Sequence, residues 1–352
     1  MDTGNPAIFL HAYAVGQHLT KEHFSVREHP LGPVPDGGLL LQTMYLSVDP
    51  YMRGCMTGLG NYYVPQFDLS APVFSMGVGR VLESRDPDFA VGDIVLGGLD
   101  WSPMMVWDPA KTSHRQPGGT LCRIQPGAIA LSHHLGALGT TGLTAFFGVL
   151  AVARPRPGET FLVSSAAGGV GSIAAQIAKL RGARVYGLTS TKEKRDVLMR
   201  RLDFVDVLDY RSPSLAADIC ELMPTGPDIY FDNVGGQLGQ TVMSLMRRPA
   251  RVIECGQIST YDGDDGGWFV DIRPIHQLGL RFESFNSMLF AEFHPGALAQ
   301  LEHWIHTGAV IPLQQEHHGF GAIVPAFLDM LQGGNIGKTV INLAGSPASS
   351  PH

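Results

Sequence analysis

One segment of the chain combines small residues in a spacing that could bind a phosphate. The segment FLVSSAAGGVGSIAAQIAKLRG (161–182) places Ala166, Gly168 and Gly171 between an apolar run and a helical pattern from Ser172 to about Arg181. This is the spacing G-x-G-x-x-G with alanine in the first place. In such a turn Gly168 lets the backbone approach a pyrophosphate, Gly171 lets the helix pack closely on the strand, and the helix N-terminus faces the anion. The alternative is a tight turn that uses glycine without any ligand.

The end of the next apolar run indicates which dinucleotide would bind. Sites for NAD usually carry Asp or Glu about 20 residues after the glycines, where the carboxylate binds the ribose 2′-hydroxyl. The segment RVYGLTSTKEK instead has Ser190 between two threonines, followed by Lys192 and Lys194. Hydroxyls and an ammonium favour a 2′-phosphate, which a carboxylate would repel. This pattern predicts NADPH, and the alternative for both lysines is a solvated first helical turn.

The runs around this turn alternate between two periods. Five β-like runs, TFLVSS, ARVYGLTS, FVDVLDY, DIYFDNV and RVIECG, are separated by segments of helical period. Such alternation predicts βαβ units and a Rossmann doubly wound parallel sheet. Earlier in the chain, runs such as GLLLQTMYLSV and GDIVLGGL are broken by turn residues, which predicts a β-rich domain. The expected fold class is therefore α/β.

These patterns divide the chain into four parts. We expect a β-rich domain over residues 1–127 and the parallel-sheet domain over 128–308. Residues 309–343 hold one amphipathic helix and one β-like run, which is too little for a separate domain, so we expect them to complete the first domain. Residues 344–352 are small and polar, and we expect a disordered tail there.

Composition limits the classes of partner. The chain has 352 residues, of which 44% are hydrophobic and 16% charged, and its net charge of -7 gives no general attraction to nucleic acid or anionic membranes. No apolar run reaches the roughly 18 residues that span a bilayer. The four cysteines form no CxxC pair, which argues against a disulfide framework and a structural zinc site. These features predict a soluble, cytoplasmic protein with small-molecule partners and no metal.

Six motifs in the chain resemble one enzyme family. They are SVDPYMRG (47–54), TGLTAFFG (141–148), SAAGGVGS (165–172), YFDNVGG (230–236), CGQISTY (255–261) and NIGKTV (335–340). Over residues 8–343 the chain is similar to zinc-independent medium-chain dehydrogenases/reductases, above all to the leukotriene B4 12-hydroxydehydrogenase, prostaglandin reductase and alkenal/one double-bond reductase branch. The resemblance implies a GroES-like catalytic domain formed by both ends of the chain, a Rossmann NADPH-binding domain between them, and a homodimer.

The resemblance also implies which residues contact NADPH. The pyrophosphate would be bound by Gly168, Gly169, Val170, Gly171 and Ser172, and the 2′-phosphate by Ser190, Lys194 and Tyr210. The nicotinamide half and the cleft would be lined by Asn233, Cys255, Gly256, Ile258, Phe285, Ser287 and Asn335. From the residues alone, Asn233 and Asn335 are also explained as turn asparagines beside glycines. Where zinc-dependent relatives carry Cys and a Gly-His-Glu motif, this chain has LSVDP and VFSMGVG.

The activity implied by the resemblance is reduction of a C=C bond in an α,β-unsaturated ketone or aldehyde. Hydride arrives at the β-carbon, and without a metal the enolate oxygen needs a preorganised hydrogen-bond donor. Tyr261 is the candidate, because a phenol stays protonated at neutral pH. Tyr51 is a second candidate lining residue. The alternatives are an exposed loop position for Tyr261 and a packing role for Tyr51, and the proton for the α-carbon could come from water or from Tyr261.

Two further segments would border the substrate. Tyr62, Tyr63 and Phe67 would suit an apolar or aromatic enone, and the loop 262–267 is a candidate lid. Two other functions stay open at this point. One is a quinone or carbonyl reductase on the same scaffold, and the other is a protein that binds NADPH without turnover.

Overall fold

The chain forms two large β-sheets, and its first and last parts contribute strands to the same one. A computed structural model describes residues 4–59, 65–112, 121–261 and 271–345. Within these residues one sheet has seven strands and the other six, and a further two-stranded ribbon stands apart. The fold class is α/β, as the sequence predicts.

The N-terminal part forms most of the seven-stranded sheet, which is largely antiparallel. Its elements are β1 (Pro6–Leu10), β2 (Phe24–Glu28), β3 (Leu39–Ser47), α1 (Tyr51–Gly54), β4 (Phe74–Ser84), β5 (Ile94–Asp100), β6 (Met104–Trp107), α2 (Pro109–Thr112) and β7 (Cys122–Ile124). β1 and β2 pair with each other as the separate ribbon. β3 alternates buried and half-buried side chains along most of its length, because only one face of an antiparallel sheet packs on the core.

The central part forms the parallel six-stranded sheet and its helices. Its elements are α3 (Thr140–Phe147), β8 (Thr160–Val163), α4 (Gly169–Leu180), β9 (Arg184–Thr189), α5 (Lys192–Arg201), β10 (Asp206–Asp209), α6 (Leu215–Leu222), β11 (Ile229–Asp232), α7 (Gly236–Ser244), β12 (Arg251–Glu254), α8 (Arg273–Leu278), β13 (Arg281–Ser284) and α9 (His294–His306). All five strands predicted from the sequence are present, and α4 begins three residues earlier than expected. The strand order is β10-β9-β8-β11-β12-β13. Because the order reverses direction at β8, the carboxyl end of β8 is the switch point at which such sheets bind ligands.

The C-terminal part returns to the first sheet. It contains β14 (Gln314–His318), α10 (Ile323–Leu331) and β15 (Lys338–Asn342). β15 pairs antiparallel with β3, placing Val340 opposite Ser47, and β14 pairs with β15 at the edge. The sequence predicts only the helix and β15, because the polar segment QQEHH of β14 has no apolar alternation. The domain limits at residues 127 and 308 stay a prediction.

Helix α4 lies unusually close to the turn that precedes it. Its residues from Gly171 to Ala178 are all buried. A Cβ atom at Gly171 would overlap the carbonyl oxygen of Ser165, and it would lie 3.0 Å from the carbonyl carbon of Ser165 and 3.2 Å from Cα of Ala166. These neighbours are backbone atoms, which cannot rotate away. Glycine at this position is therefore what lets α4 begin directly above β8.

We expect Gly171→Ala to destabilise the protein by about 1–3 kcal/mol, because the added methyl group forces the turn and the helix apart. The matched control is Gly296→Ala in α9, where a Cβ would meet no atom within 4 Å. That change should leave the melting temperature unchanged or raise it, since alanine favours a helix over glycine. Thermal unfolding of both variants beside the unsubstituted protein is the measurement. Equal melting temperatures for the two variants would contradict the packing argument.

Candidate active site

The N-terminus of α4 presents backbone donors at the switch point of the parallel sheet. Gly168 is the N-cap residue with extended backbone, and the first intrahelical hydrogen bond runs from Ser172 N–H to Gly168 O at 3.1 Å. The N–H groups of Gly169, Val170 and Gly171 therefore have no acceptor within the helix. Gly168 to Val170 are only half-buried. Together with the helix dipole, this arrangement suits a bound anion such as a pyrophosphate.

Ser172 differs from the other residues predicted to bind the pyrophosphate. It is fully buried, and its hydroxyl donates to the carbonyl oxygen of Gly169 at 3.3 Å. Both of its donors, the N–H and the O–H, are thus directed to the backbone of its own helix. The side chain of Ser172 stabilises the first turn of α4.

The C-terminal segment lies directly against this turn. The N–H of Gly337 donates to the carbonyl oxygen of Ala167 at 2.6 Å, and Gly168 and Gly337 form an isolated parallel bridge. Asn335 lies beside them, and its side-chain amide donates to the carbonyl oxygen of Gly337 at 2.7 Å. The structure therefore brings Asn335 next to the glycine turn, where it also holds its own turn together. Both sheets meet at this point.

Lys194 is the buried one of the two lysines that follow β9. It lies in the first turn of α5 and is 8% exposed, whereas Lys192 is exposed. Its ammonium donates to the carbonyl oxygen of Gly333 in the C-terminal segment. Burial lowers the pKa of Lys194, Asp329 opposes this shift, and the positive charge of Arg211 lowers the pKa further. Lys194 and Arg211 are thus close enough to repel each other.

The residues after β9 and β10 complete this cationic site. The N–H of Tyr210 donates to the carbonyl oxygen of Thr189 at 3.0 Å, which brings the ends of the two strands together beside the half-buried Ser190. The guanidinium of Arg211 lies 5.6 Å from the centre of the Tyr210 ring. Two cations, a hydroxyl and a phenol are the groups that a phosphate monoester requires. Arg211 is not among the residues predicted to bind the 2′-phosphate. The feature of the sequence that indicates it is a cation directly after Tyr210, at the end of the predicted strand FVDVLDY.

A buried carboxylate holds the turn after β11. Asp232 is 3% exposed and accepts hydrogen bonds at one oxygen from the hydroxyls of Ser164 (2.8 Å) and Tyr230 (2.9 Å). The same oxygen accepts from the N–H groups of Val234 (2.9 Å) and Gly235 (3.0 Å). Several hydrogen bonds can stabilise a buried charge without a cation. They fix the turn that carries the next residue.

Asn233 lies in that turn and is tied to the end of β8. Its backbone N–H donates to the hydroxyl of Ser164 at 2.8 Å, and its side-chain amide donates to the carbonyl oxygen of Ser164 at 2.8 Å. The side chain is therefore a structural bridge between two strand ends beside the glycine turn. This position is compatible with both explanations given by the sequence, a turn residue and a residue of the nicotinamide site.

The neighbouring strand ends in a second acidic residue. Glu254 on β12 is the register partner of Asp232 on β11. Burial, reinforced by the charge of Asp232, raises the pKa of Glu254 to about 8, although a hydrogen bond with Gln257 opposes the shift. Glu254 is consequently protonated in most molecules at neutral pH. Burial therefore suppresses the negative charge of Glu254 beside Asp232.

Tyr261 lies over the turn that follows β12. Its hydroxyl oxygen accepts a hydrogen bond from the N–H of Gln257 at 3.2 Å, and a Cβ at Gly256 would lie 3.4 Å from the same oxygen. The side chain is half-buried. An oxygen that accepts a hydrogen bond becomes a better O–H donor, because hydrogen bonds in a chain polarise one another. The structure therefore places a preorganised phenol at the carboxyl end of the parallel sheet.

Three more of the predicted residues lie in the same turn as Tyr261. The N–H groups of Cys255 and Gly256 donate to the carbonyl oxygen of Asp232 at 2.8 and 3.1 Å, and the N–H of Ile258 donates to that of Asn233 at 3.4 Å. These bonds join the turn after β12 to the turn after β11. Burial raises the pKa of the Cys255 thiol, which favours its neutral form.

Phe285 and Ser287 follow β13. Phe285 packs beneath the strand ends, where a Cβ at Gly148 would lie 2.5 Å from its ring, and its ring centre is 6.4 Å from that of Phe231. Ser287 is buried, and its carbonyl oxygen accepts from the imidazole of His294 at 2.9 Å. The ends of β8, β11, β12 and β13 thus gather most of the residues predicted to line the nicotinamide half.

Of the aromatic residues predicted to border the substrate, the structure describes Tyr51 and Phe67, and Tyr51 packs against the same hydrophobic core that contains Phe67. Tyr51 begins α1 and is half-buried, and burial together with the charge of Asp49 raises the pKa of its phenol. Phe67 is 2% exposed and packs edge to face on Phe74, with ring centres 5.1 Å apart. The prediction that Phe67 lines a pocket is therefore wrong, because its ring fills the core of the first domain. Tyr62, Tyr63, the loop 262–267 and the tail from residue 346 lie outside the described residues.

Among the residues that the structure describes, no three His, Cys, Asp or Glu side chains come together as a group that could hold a metal ion. No helix in the described ranges is long and apolar enough to cross a bilayer.

The chain matches two family models and many individual proteins. One model, for the N-terminal domain of oxidoreductase, matches residues 7–114, and another, for zinc-binding dehydrogenase, matches residues 169–302. A putative NADP-dependent oxidoreductase of Bacillus subtilis, YfmJ, is 38% identical over 323 residues, covering 89% of this chain and 91% of that protein. The NADP⁺-dependent 2-alkenal reductase of Nicotiana tabacum is 33% identical over 311 residues, covering 88% of each chain.

A solved structure has the same architecture. The crystal structure of CurA from Vibrio vulnificus in complex with NADPH matches with a TM-score of 0.86 and 28% identity, over 97% of this chain and 100% of that one. Sequence identity above 30% over nearly the whole length, the fold and the six motifs agree with one another. The chain is therefore an oxidoreductase of the medium-chain dehydrogenase/reductase family, in the branch of the leukotriene B4 dehydrogenases, prostaglandin reductases and alkenal/one reductases.

Proposed function

We propose that this protein uses NADPH to reduce the C=C bond of α,β-unsaturated ketones or aldehydes. The cofactor is NADPH, since the relatives are named for NADP, a neighbouring structure contains NADPH, and Lys194 and Arg211 suit a 2′-phosphate. The observation that carries the choice of reaction is the phenol of Tyr261, held by the N–H of Gln257 at the carboxyl end of β12. The name of the tobacco relative, a 2-alkenal reductase, supports the same class of substrate.

Each part of the site has a separate task in this reaction. When bound, NADPH supplies the hydride. The N–H groups at the start of α4 bind the pyrophosphate, and Lys194 with Arg211 binds the 2′-phosphate. Tyr261 donates a hydrogen bond to the carbonyl oxygen of the substrate, where negative charge develops as hydride reaches the β-carbon. A proton from water or from Tyr261 then reaches the α-carbon and gives the saturated product. Tyr51, whose phenol stays neutral because its pKa is raised, borders the cleft from the other sheet.

A panel of acceptors tests the reaction class. NADPH oxidation is followed by its absorbance with an enone, a quinone and a saturated ketone, and the products are identified by mass spectrometry. We expect the enone to give the saturated ketone with its carbonyl group intact. Reduction of only the quinone would indicate a quinone reductase, and reduction of only the saturated ketone would indicate a carbonyl reductase. NADPH binding without oxidation by any acceptor would indicate a non-catalytic protein.

We expect Tyr261→Phe to lower kcat for an enone about 100- to 1,000-fold, because the donor to the developing oxyanion is lost. The Kd for NADPH should stay within about twofold of the original value, because no contact with the phosphates of NADPH changes. A twofold change in Kd is only about 0.4 kcal/mol of binding free energy. The control is Tyr186→Phe, which removes a hydroxyl that accepts from Arg184 at 2.7 Å within β9. A Tyr261→Phe enzyme that turns over as fast as the Tyr186→Phe enzyme would exclude Tyr261 as the donor.

We expect Lys194→Met to raise the KM for NADPH about 10- to 100-fold, because a hydrogen bond to a charged group contributes about 1.5–3 kcal/mol. The KM for NADH should change little, since NADH lacks the 2′-phosphate. Lys192→Met is the matched control, because Lys192 is exposed two residues earlier in the same helix turn. Steady-state kinetics with NADPH and with NADH gives the two KM values. An equal increase of both KM values in Lys194→Met would argue against Lys194 as a ligand of the 2′-phosphate.

We also propose that two copies of the chain pair through β13. This strand is at the end of the described six-stranded sheet and carries Phe282 at 39% exposure, and the segment that follows it carries the exposed Leu289. Unpaired sheet edges with exposed apolar side chains favour pairing with another chain. A homodimer formed in this way would bury these side chains.

We expect Phe282→Asp to convert the dimer into a monomer, because a carboxylate would be buried at the paired edges. The control is Val91→Asp, which introduces the same charge at a position that is 68% exposed between β4 and β5. Sedimentation velocity gives the mass of each variant in solution. A dimer that persists in Phe282→Asp would rule out β13 as the contact.

A further inference from the structure

A buried ion pair connects the last strand with the end of β3. The ammonium of Lys338 donates to the carbonyl oxygen of Val48 at 2.7 Å and to Oδ1 of Asp49 at 2.5 Å. Lys338 is 6% exposed, and the side chain of Asp49 is 20% exposed. The hydroxyl of Ser47 donates to the other carboxylate oxygen of Asp49. Both charges are therefore held in fixed positions by directed hydrogen bonds.

The other end of Lys338 rests on the phosphate-binding turn. A Cβ at Gly169 would lie 3.5 Å from both Cα and Cβ of Lys338, and a Cβ at Gly136 would lie 3.1 Å from its Cγ. The preceding residue, Gly337, donates to the carbonyl oxygen of Ala167. The backbone of Lys338 therefore touches the turn that begins α4, and its ammonium reaches across to the turn after β3.

The turn after β3 carries a residue that the proposed function places at the substrate site. Two residues after Asp49 comes Tyr51, the first residue of α1. The ion pair itself joins neighbouring strands of the seven-stranded sheet, since Val340 of β15 lies opposite Ser47 of β3. The hydrogen bond from Gly337 to Ala167 joins the same end of β15 to the turn before α4, so Lys338 links the turns on the two sides of the proposed cleft.

We propose that Lys338 and Asp49 form a strut that sets the distance between these two sides of the cleft. A buried ion pair contributes little net stability, because desolvation of both charges offsets their attraction. The hydrogen bonds of the pair do fix the position of the turn after β3 relative to β15, since the ammonium of Lys338 has two acceptors, Val48 and Asp49, that are adjacent in the chain. For hydride transfer the reacting carbons must be within about 3–3.5 Å, and a misplacement of about 1 Å costs about 100-fold in rate. Lys338 and Asp49 are therefore positioning residues, and the effect on rate rests on the proposed function.

The test compares cofactor binding, turnover and backbone exchange in Lys338→Met. The Kd for NADPH from a fluorescence titration should stay within about threefold, because the phosphate contacts on α4 and α5 remain. We expect kcat with an enone to fall about 10- to 100-fold while the KM for NADPH stays constant. In the NADPH-free protein, hydrogen–deuterium exchange should become faster in peptides covering residues 47–54 and 165–172.

Two milder variants keep the test valid if Lys338→Met does not fold. Lys338→Arg retains a cation that can donate to the same two acceptors, and it should restore part of kcat. Asp49→Asn retains the acceptor oxygen without the charge. Its kcat and its hydrogen–deuterium exchange rate should be intermediate between those of Lys338→Arg and Lys338→Met.

The matched control is Arg251→Met. Arg251 pairs with Glu159 at the amino ends of β8 and β12, and the side chains are 16% and 22% exposed, similar to the Lys338 pair. This variant should lower the melting temperature without changing kcat or the exchange of the two named segments. If Lys338→Met also lowers only the melting temperature, the Lys338–Asp49 pair stabilises the fold without positioning the two turns. Loss of NADPH affinity equal to the loss of kcat would identify Lys338 as a cofactor ligand and overturn the strut.

Failure of the proposed function gives a different result. An unsubstituted protein that reduces no enone removes the kinetic readout, and the exchange of residues 47–54 and 165–172 in Lys338→Met then decides the strut by itself. Unchanged exchange in those segments would overturn it, and faster exchange in both would support it.

Discussion

The close contact of backbone on backbone around Gly168, Gly169 and Gly171 is the constraint on which the rest of the structure depends. Gly171 lets α4 lie against the carbonyl group of Ser165, and a Cβ at Gly169 would lie 3.0 Å from Cγ2 of Thr141. A side chain at Gly171 would separate the helix from the strand. Because these approaches are possible, the N–H groups of α4 lie at the switch point of the parallel sheet, and the C-terminal segment reaches the same place.

The features that could be predicted from the sequence are those whose signal is local. An apolar run, three small residues and a helical pattern define the turn before α4, and each of the five predicted strands has its own apolar run. β14 and Phe67 were misjudged for the opposite reason. β14 is a polar edge strand that exists because β15 lies beside it, and the burial of Phe67 depends on Phe74 and the neighbouring core. No pattern within a few residues carries that information.

The same distinction applies to the candidate site. Residue types predicted a cationic site after β9, but the choice between the two lysines depends on which face of α5 packs against the chain at Gly333. Arg211 joins Lys194 only because the sheet places the ends of β9 and β10 side by side. Asp232 and Glu254 are 22 positions apart in sequence and become partners through strand register. The raised pKa of Glu254, caused by burial and by the nearby charge of Asp232, is therefore a property of the folded sheet.

The proposed function separates binding from rate acceleration. In it, contacts of Lys194 and Arg211 with a 2′-phosphate would be the same before and during hydride transfer, so they would strengthen binding without lowering the barrier from the bound state. A hydrogen bond from Tyr261 would strengthen as charge develops on the substrate oxygen, so it would act on the barrier itself. The two groups lie at different strand ends, at β9 and β12. Substitutions at the two ends should therefore combine additively in free energy, whereas changes in the Lys338–Asp49 pair, which joins β15 to the turn after β3, should couple to Tyr261.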